Sequence, residues 1–269
     1  MLADAVPAMT PPVTPDDLAA RLLYRDGLML IIDKPAGLPV HAGSRGGDHL
    51  MLHLDALRFG LKRAPELAHR LDRDTSGCLV LGRHRKALAR LGALFAEGKV
   101  EKVYWAVVVG GGPAAESGTI DAPLTRLQQR HSARVIVDPR GQPSLTEWRV
   151  LGRGGRLAWI EARPRTGRTH QIRAHLASIG CPILGDAVYG HGTADLDGAP
   201  LHLHARSVTI PLAPAKPPVT ATAPVPAHMR AMLDQCGWRG DEEAKAGQPP
   251  PNSSPAAALS SRATVSSTP

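Results

Sequence analysis

The stretch EKVYWAVVVG, Glu101 to Gly110, is rich in β-branched and aromatic residues and has no helical spacing, so it reads as a strand. Runs of the same kind follow it: ARVIVD (Ala133–Asp138), TEWRVL (Thr146–Leu151) and LAWIEAR (Leu157–Arg163). In the last of these Leu157, Trp159 and Glu161 alternate with Ala158, Ile160 and Ala162, the period of a pleated strand. A strictly alternating βαβ series would place a helix between each pair, whereas strands that follow one another directly pair antiparallel. The expected class is therefore α+β, a mixed and largely antiparallel sheet with flanking helices.

Outward from these strands, LMLIIDKPAGLPV (Leu28–Val40) is apolar from Leu28 to Ile32, then turns through Pro and Gly, with Lys34 at the strand end. CLVLG (Cys78–Gly82) is a second apolar run. TPDDLAARLLYRDG (Thr14–Gly27) predicts a short capped helix, with Thr14 as N-cap, Pro15 at the first position and acids in the first turn. DHLMLHLDALRFGL (Asp48–Leu61) and KALARLGALFAEG (Lys86–Gly98) have helical spacing. In the second, Leu88, Leu91, Leu94 and Phe95 form one stripe and Gly98 makes a C-cap. RTHQIRAHLASIG (Arg168–Gly180) returns to helical spacing, LHLHARSVTI (Leu201–Ile210) is a late strand, and PAHMRAMLDQC (Pro226–Cys236) closes as a helix with Met229, Met232, Leu233 and Cys236 on one face.

The 269 residues can bury a full core, and the net charge of +8 favours a polyanionic partner. From about Gly240 the chain is Pro, Ser and Ala with little to bury, which predicts a disordered tail. That tail carries Asp241, Glu242 and Glu243 against Lys245 and Arg262, so the basic excess belongs to the folded part. The expected divisions are a leader over 1–16, a catalytic domain over 17–238 and the tail over 239–269. Cys78, Cys181 and Cys236 are scattered and never form a C-x-x-C pair, which points to reduced thiols rather than disulfides or a zinc site. No run approaches the ~18 apolar residues of a membrane span. A soluble, cytoplasmic monomer with no obligate protein partner is expected.

Two dense polar segments carry the chemistry. HRLDRDTSG (His69–Gly77) holds two arginines and two carboxylates, and taken alone reads as a polar turn with Asp72 or Asp74 capping nearby amides. RPRTGRTHQIRAH (Arg163–His175) places Arg163, Arg165, Arg168 and Arg173 near a helix start, where the macrodipole gives cations no benefit, so an anionic partner is called for. If the two segments meet, a carboxylate paired with an arginine stays ionised and fit to act as nucleophile or base. Phosphates would take the remaining cations.

Together these residues resemble the RluA-like family of RNA pseudouridine synthases, from about Tyr24 to about Ile210. LMLIIDKPAGLPVHAG is similar to the family's first strand and turn, HRLDRDTSG to its catalytic signature and EKVYWAVVVG to its K-x-Y strand. TEWRVL, RTGRTHQIRAHLASIGCPILGDAVYG and LHLHA follow in the family's order. The resemblance supplies the central catalytic cleft. It implies Asp72 as the catalytic aspartate, Arg168 as the arginine paired with it, and Tyr104 as the tyrosine that stacks on the target base. Arg70 resembles the arginine that fills the space of the flipped nucleotide, and His170, Gln171, Arg173 and Lys34 join it as substrate-binding residues. Tyr189 is expected to be structural.

The reaction this implies breaks the N1–C1′ bond of a uridine, turns the uracil and joins C5 to C1′, with no redox change and no added atom. No cofactor and no metal are required, and the partner is structured RNA, ribosomal or transfer. The aspartate could attack the sugar, attack the base or remove a proton, and the residues do not choose among these routes. A uridine in structured RNA must leave its stack to react. Cys78 stands where a larger aliphatic is usual, and GRHRKA (Gly82–Ala87) is more basic than the common continuation. The stretch before the first strand is too short for the family's S4-type module, so target choice is expected to rest on the catalytic domain.

Rival readings are weaker. DRDTS imitates the D-x-D-x-T motif of Mg-dependent haloacid-dehalogenase-type phosphotransferases, with GD again at Gly185 and Asp186, but RAPELAHRL before it is polar and not the apolar strand that motif needs. Asp72 and Asp74 are too close in sequence to flank a glycosidic bond. His202 and His204 have metal-ligand spacing without a third ligand. A non-catalytic RNA-binding factor on the same fold is disfavoured by the joint presence of Asp72, Tyr104 and Arg168.

Overall fold

The computed structural model describes residues 14–43, 46–128, 133–190, 198–212 and 216–240. The leader expected over 1–16 and the tail expected over 239–269 therefore lie almost wholly outside the described residues.

Helix α1 (Pro15–Ala20) begins as its sequence dictates, with Thr14 Oγ1 accepting from the Asp17 amide at 3.2 Å and the Asp17 carboxylate accepting from the Thr14 amide at 3.0 Å. It is shorter than the amphipathic run implied. The chain leaves it at Arg21 for β1 (Leu22–Arg25), which pairs antiparallel with β2 (Met29–Lys34). Asp26 fixes that hairpin by accepting from the amides of Leu28 and Met29 at 2.7 and 2.8 Å, a local bond that a helix would forgo.

The helix expected over Asp48–Leu61 is instead two short 3-10 turns, Leu50–Leu52 and Leu54–Leu57. Leu50, Leu54 and Leu57 are buried as the spacing demands, so the pattern correctly marked a core-facing stripe on a backbone wound too tightly and too briefly for an α-helix.

Next come β3 (Glu66–Leu67), β4 (Ser76–Gly82), α2 (Arg85–Ala96), β5 (Glu101–Val109) and β6 (Ser117–Asp121). Strands β7 (Leu124–Gln128) and β8 (Ala133–Val137) form a separate hairpin, followed by β9 (Leu145–Gly154), β10 (Leu157–Pro164), α3 (Gln171–Ser178), β11 (Leu203–Ile210), β12 (Val219–Thr222) and α4 (Ala227–Gln235). The main sheet runs β1-β2-β4-β11-β5-β10-β9-β6, with β12 beside β11 and β3 beside β4. Among the described pairings β4–β11 alone is parallel. The sheet is thus mixed and largely antiparallel, an α+β arrangement.

Alternation along β5 and β10 sorts the two faces. Ala106, Val108, Ile160 and Ala162 pack under Ile172 and Leu176 of α3. Trp105 and Trp159 point the other way, their rings edge to face at 4.6 Å. Helix α3 thereby stands over the middle of the sheet, next to the loop that enters β4.

Candidate active site

Asp72 lies in the loop between β3 and β4, and a set of hydrogen bonds shapes that loop and its surroundings. The Thr75 amide donates to the Asp72 carbonyl at 3.2 Å and the Gly37 amide to the Arg73 carbonyl at 3.0 Å. Lys34 Nζ donates to the carbonyls of Pro35, Leu38 and Arg73 at 2.8, 2.8 and 2.9 Å. Ser76 Oγ meets His204 Nδ1 at 2.9 Å. Gly77 follows with φ of 105°, and a Cβ there would collide with the carbonyl oxygen of Ala205, so glycine is required where the loop becomes strand.

Lys34 is fully buried, and all three of its ammonium protons are committed to main-chain carbonyls. That leaves no ammonium proton over for the substrate contact expected of it. Its role in this geometry is to hold the loop one residue beyond Asp72. Burial pulls its pKa down to about 7, while Asp74, Asp72 and Asp33 pull it back up. His69 is likewise scaffold: Nε2 accepts from the Val80 amide at 3.0 Å, the ring stacks on Phe95, and burial lowers its pKa to about 3. Arg73 and Asp74 pair with each other at 3.0 Å near the surface.

A cavity of about 110 Å³ opens beside this loop, lined by Arg70, Asp72, Lys102, Tyr104, Arg168, His170 and Arg173 among others. It joins Asp72, Tyr104 and Arg168, as the cleft reading required. Tyr104, half-buried on β5, stands opposite Ala205 of β11 and Ala162 of β10, small neighbours that leave its ring uncovered on the cavity side. Burial, then the charge of Asp72, pushes the phenol's pKa up, so the hydroxyl stays protonated at neutral pH. Arg70 is exposed at the rim. A larger cleft of about 1000 Å³ is lined by Asp33, Arg73, Asp74 and Asp186 and shares only Arg173 with the first. The smaller one holds Asp72 and Tyr104, and the chemistry belongs there.

The arginine beside Asp72 is Arg173 and not Arg168. Arg173 Nη1 lies 3.5 Å from Asp72 Oδ2, with a side chain only 7% exposed. Asp186 grips the same guanidinium through Nε–Oδ2 at 2.7 Å and Nη2–Oδ1 at 2.8 Å. Arg168 is exposed and donates Nε to the Pro143 carbonyl at 3.3 Å. The helix register explains the difference: α3 begins at Gln171, so Arg173 is carried on its first turn toward the loop, while Arg168 precedes it.

Gln171 also departs from expectation. Its side-chain oxygen accepts from Thr166 Oγ1 at 2.7 Å and the Arg168 amide at 3.0 Å, and its nitrogen donates to the Leu145 carbonyl at 2.9 Å and Thr146 Oγ1 at 3.0 Å. Every bonding position is used internally, so Gln171 shapes the turn before α3 and leaves nothing for substrate. His170, at φ 51°, caps that helix in the left-handed region. Its Nε2 is 3.9 Å from Asp72 Oδ2 and its Nδ1 is 3.2 Å from the Tyr189 hydroxyl. Burial lowers its pKa against the pull of Asp72, which favours the neutral ring.

Asp186, Tyr189 and Lys102 were not assigned to the site from sequence. Asp186 anchors Arg173 and accepts from the amides of Val188 and Tyr189 at 2.9 and 3.1 Å. Tyr189, expected to be structural, accepts from the Val135 amide at 2.9 Å and packs its ring 5.4 Å from the Arg173 guanidinium. The GD pair of GDAVYG was the available signal for Asp186. Lys102 donates to the Thr166 carbonyl at 3.0 Å, and burial pulls its pKa to about 8. His204 meets Ser76 Oγ and the Ala223 carbonyl, at 2.9 and 3.4 Å, so both ring nitrogens already have protein partners.

Asp72, Tyr104 and Arg173 thus line one small cavity on a mixed, largely antiparallel sheet. The sequence profile of the RNA pseudouridylate synthase family matches residues 28–178. The chain is 42% identical over 212 residues to an uncharacterized RNA pseudouridine synthase of Zymomonas mobilis, covering 78% of this chain and 95% of that one. It is 38% identical over 219 residues to ribosomal large subunit pseudouridine synthase C of Vibrio cholerae, covering 79% and 68%. The solved human RNA pseudouridylate synthase domain containing 4 superposes with a TM-score of 0.70 at 27% identity, covering 82% of this chain and 95% of that one. The chain belongs to the RNA pseudouridylate synthase family, in its RluA-like branch, and is an isomerase that converts uridine in RNA to pseudouridine. The phosphotransferase reading is set aside with that assignment.

Proposed function

We propose that Asp72 is the catalytic group, acting on a uridine flipped out of structured ribosomal RNA into the cavity it shares with Tyr104. The observation that carries this is the 3.5 Å contact between Asp72 Oδ2 and Arg173 Nη1 inside that cavity. The guanidinium fixes which way the carboxylate faces and places a positive charge beside it. In the reaction the N1–C1′ bond breaks, the uracil turns, C5 joins C1′, and a proton leaves C5 as one arrives at N1. Nothing is oxidised or added.

Tyr104 supplies the platform on which the uracil rests and, as a protonated phenol, a hydrogen-bond donor within the cavity. A cavity of about 110 Å³ has room for one base and not for a paired one, which supports flipping. The exposed Arg70 and Arg168 at its edge suit the phosphates on either side of that nucleotide. A ribosomal target is supported by the relative named ribosomal large subunit pseudouridine synthase C. A compact unit ending at Trp238 supports a catalytic domain over 17–238. We place the enzyme in the cytoplasm as a monomer; no described helix is long and apolar enough to cross a membrane.

The test is pseudouridine mapping on ribosomal RNA transcripts treated with the full chain or with Asp72→Ala. The variant is expected to form no pseudouridine while its RNA affinity stays within about twofold, since the carboxylate contributes nothing to phosphate attraction. Pseudouridine formation by the variant would remove Asp72 from the mechanism.

A further inference from the structure

Helix α2 carries a charge pattern that its own chain does not balance. Arg85, Lys86 and Arg90 are exposed, and none has an ion-pair or hydrogen-bond partner among the described residues. Arg85 and Lys86 occupy the first turn, which contains no acid, where the helix dipole disfavours cations. Lys86 and Arg90 are four residues apart, where like charges repel.

Lys62 and Arg63 extend the pattern. Their segment is tied to the start of α2 by Arg83, which donates to the carbonyls of Arg58 and Phe59 at 3.2 Å each, and by the pairing of Glu66 with Gly82. Both are exposed and equally without partners among the described residues. Glu66 is the carboxylate nearest in sequence, and it bonds none of them. Cations elsewhere on the surface are mostly paired: Arg149 and Arg163 share Glu161, Arg165 holds Glu147, and Arg140 holds Asp138.

We propose that this surface binds the sugar–phosphate backbone of the RNA substrate at a distance from the target uridine. The inference rests on the reading that the substrate is structured RNA. Gly82, where the patch begins, lies roughly 20 Å along β4 from Ser76 beside the catalytic loop, at the rise of a strand. Contacts there need RNA that extends well past the flipped nucleotide. Leu28 and Leu61, beside the patch, are exposed by only 37% and 39%, too little to anchor a bilayer or a partner helix. Unpaired cations that cost the helix stability are accounted for by an external polyanion.

The test uses the full chain carrying Arg85→Gln, Lys86→Gln and Arg90→Gln together, with Lys62→Gln/Arg63→Gln as a second, loop-only variant. The probes are a labelled RNA hairpin long enough to span both cavity and α2, and a trinucleotide. For the triple variant the hairpin Kd is expected to rise about tenfold near ~0.1 M salt, and the slope of log K against log salt to flatten by about 2 to 3. Trinucleotide binding and kcat at saturating RNA should stay unchanged. The thermal midpoint should not fall, because the removed charges oppose the helix dipole. Wild-type Kd and slope on the hairpin in both variants would overturn the proposal, and so would an equal loss on the trinucleotide. Loss of binding to phosphatidylserine vesicles with hairpin binding intact would overturn it in favour of a membrane surface. If the wild type forms no pseudouridine in ribosomal RNA yet the variants lose hairpin binding, the ribosomal target fails and this surface stands.

Discussion

Arg173 meets Asp72 at 3.5 Å but Asp186 at 2.7 and 2.8 Å, so the guanidinium is positioned by the carboxylate sealed from solvent and merely presented to the one in the cavity. Asp72→Asn should therefore leave Arg173 in place and the melting temperature nearly unchanged. Asp186→Asn breaks a buried charge pair and should cost about 3–5 kcal/mol in urea melts. Arg173→Lys keeps the charge but lacks the planar fork that reaches two carboxylates at once, and kcat should drop roughly 10- to 100-fold with RNA affinity kept. Full activity in Arg173→Lys would show that the fork is dispensable.

Tyr104 combines a ring open to the cavity with a hydroxyl that burial and Asp72 keep protonated. Tyr104→Phe retains the stacking surface, so RNA affinity should hold while kcat falls by about 10²-fold, the usual scale for losing a positioned proton donor. Tyr104→Leu should lose both. Single-turnover rates alongside filter-binding constants separate the two effects.

Gly77 allows the catalytic loop to turn into β4 against the Ala205 carbonyl. Gly77→Ala adds a methyl where there is no room and a left-handed backbone besides, so a loss of at least about 2–3 kcal/mol is expected. Activity should fall further than stability alone explains, because the displaced loop carries Asp72. Denaturation midpoints and kcat on the same preparation give the comparison.

Asp33, whose side chain is 15% exposed, has its pKa raised by burial to about 6, against the pull of Arg21 at 3.3 Å and of Lys34. Below about pH 4 the carboxyl is protonated folded and unfolded alike. Between about 4 and 6 the folded state holds the extra proton, so its stabilising contribution is lost as pH rises through the folded pKa. Asp33→Asn escapes that loss. Its stability relative to wild type should grow from near zero at low pH to about 3 kcal/mol at pH 7, read from urea melts across the range. A flat difference would mean that Arg21 cancels the burial cost.

The sheet was legible because β5 and β10 announce themselves by alternation and β-branched content, properties of the residues alone. Strand β1 was hidden because Leu22 and Leu23 continue the apolar spacing of α1; the Asp26 turn that ends the pattern competes with it only once β2 is alongside. Asp72 and Tyr104 were placed through family motifs, and both line the cavity. The partner of Asp72 was not legible: RPRTGRTHQIRAH offers four arginines, and choosing among them requires knowing that α3 starts at Gln171. Lys34 and Gln171 looked like ligand-binding groups because polarity in a motif carries no record of where its protons go. Their carbonyl and hydroxyl partners come from Leu38, Arg73, Leu145 and Thr146, some of them distant in sequence.

In the sheet, β11 lies between β4, which carries the Asp72 loop, and β5, which carries Tyr104. The two groups are near each other in sequence, yet the strand that spaces them is made far later. The antiparallel β2–β4 pair and α2 draw only on residues up to Ala96, but the spacing between the strands that carry aspartate and tyrosine depends on Leu203–Ile210. A fragment that stops before that point holds both residues but lacks the strand that spaces them.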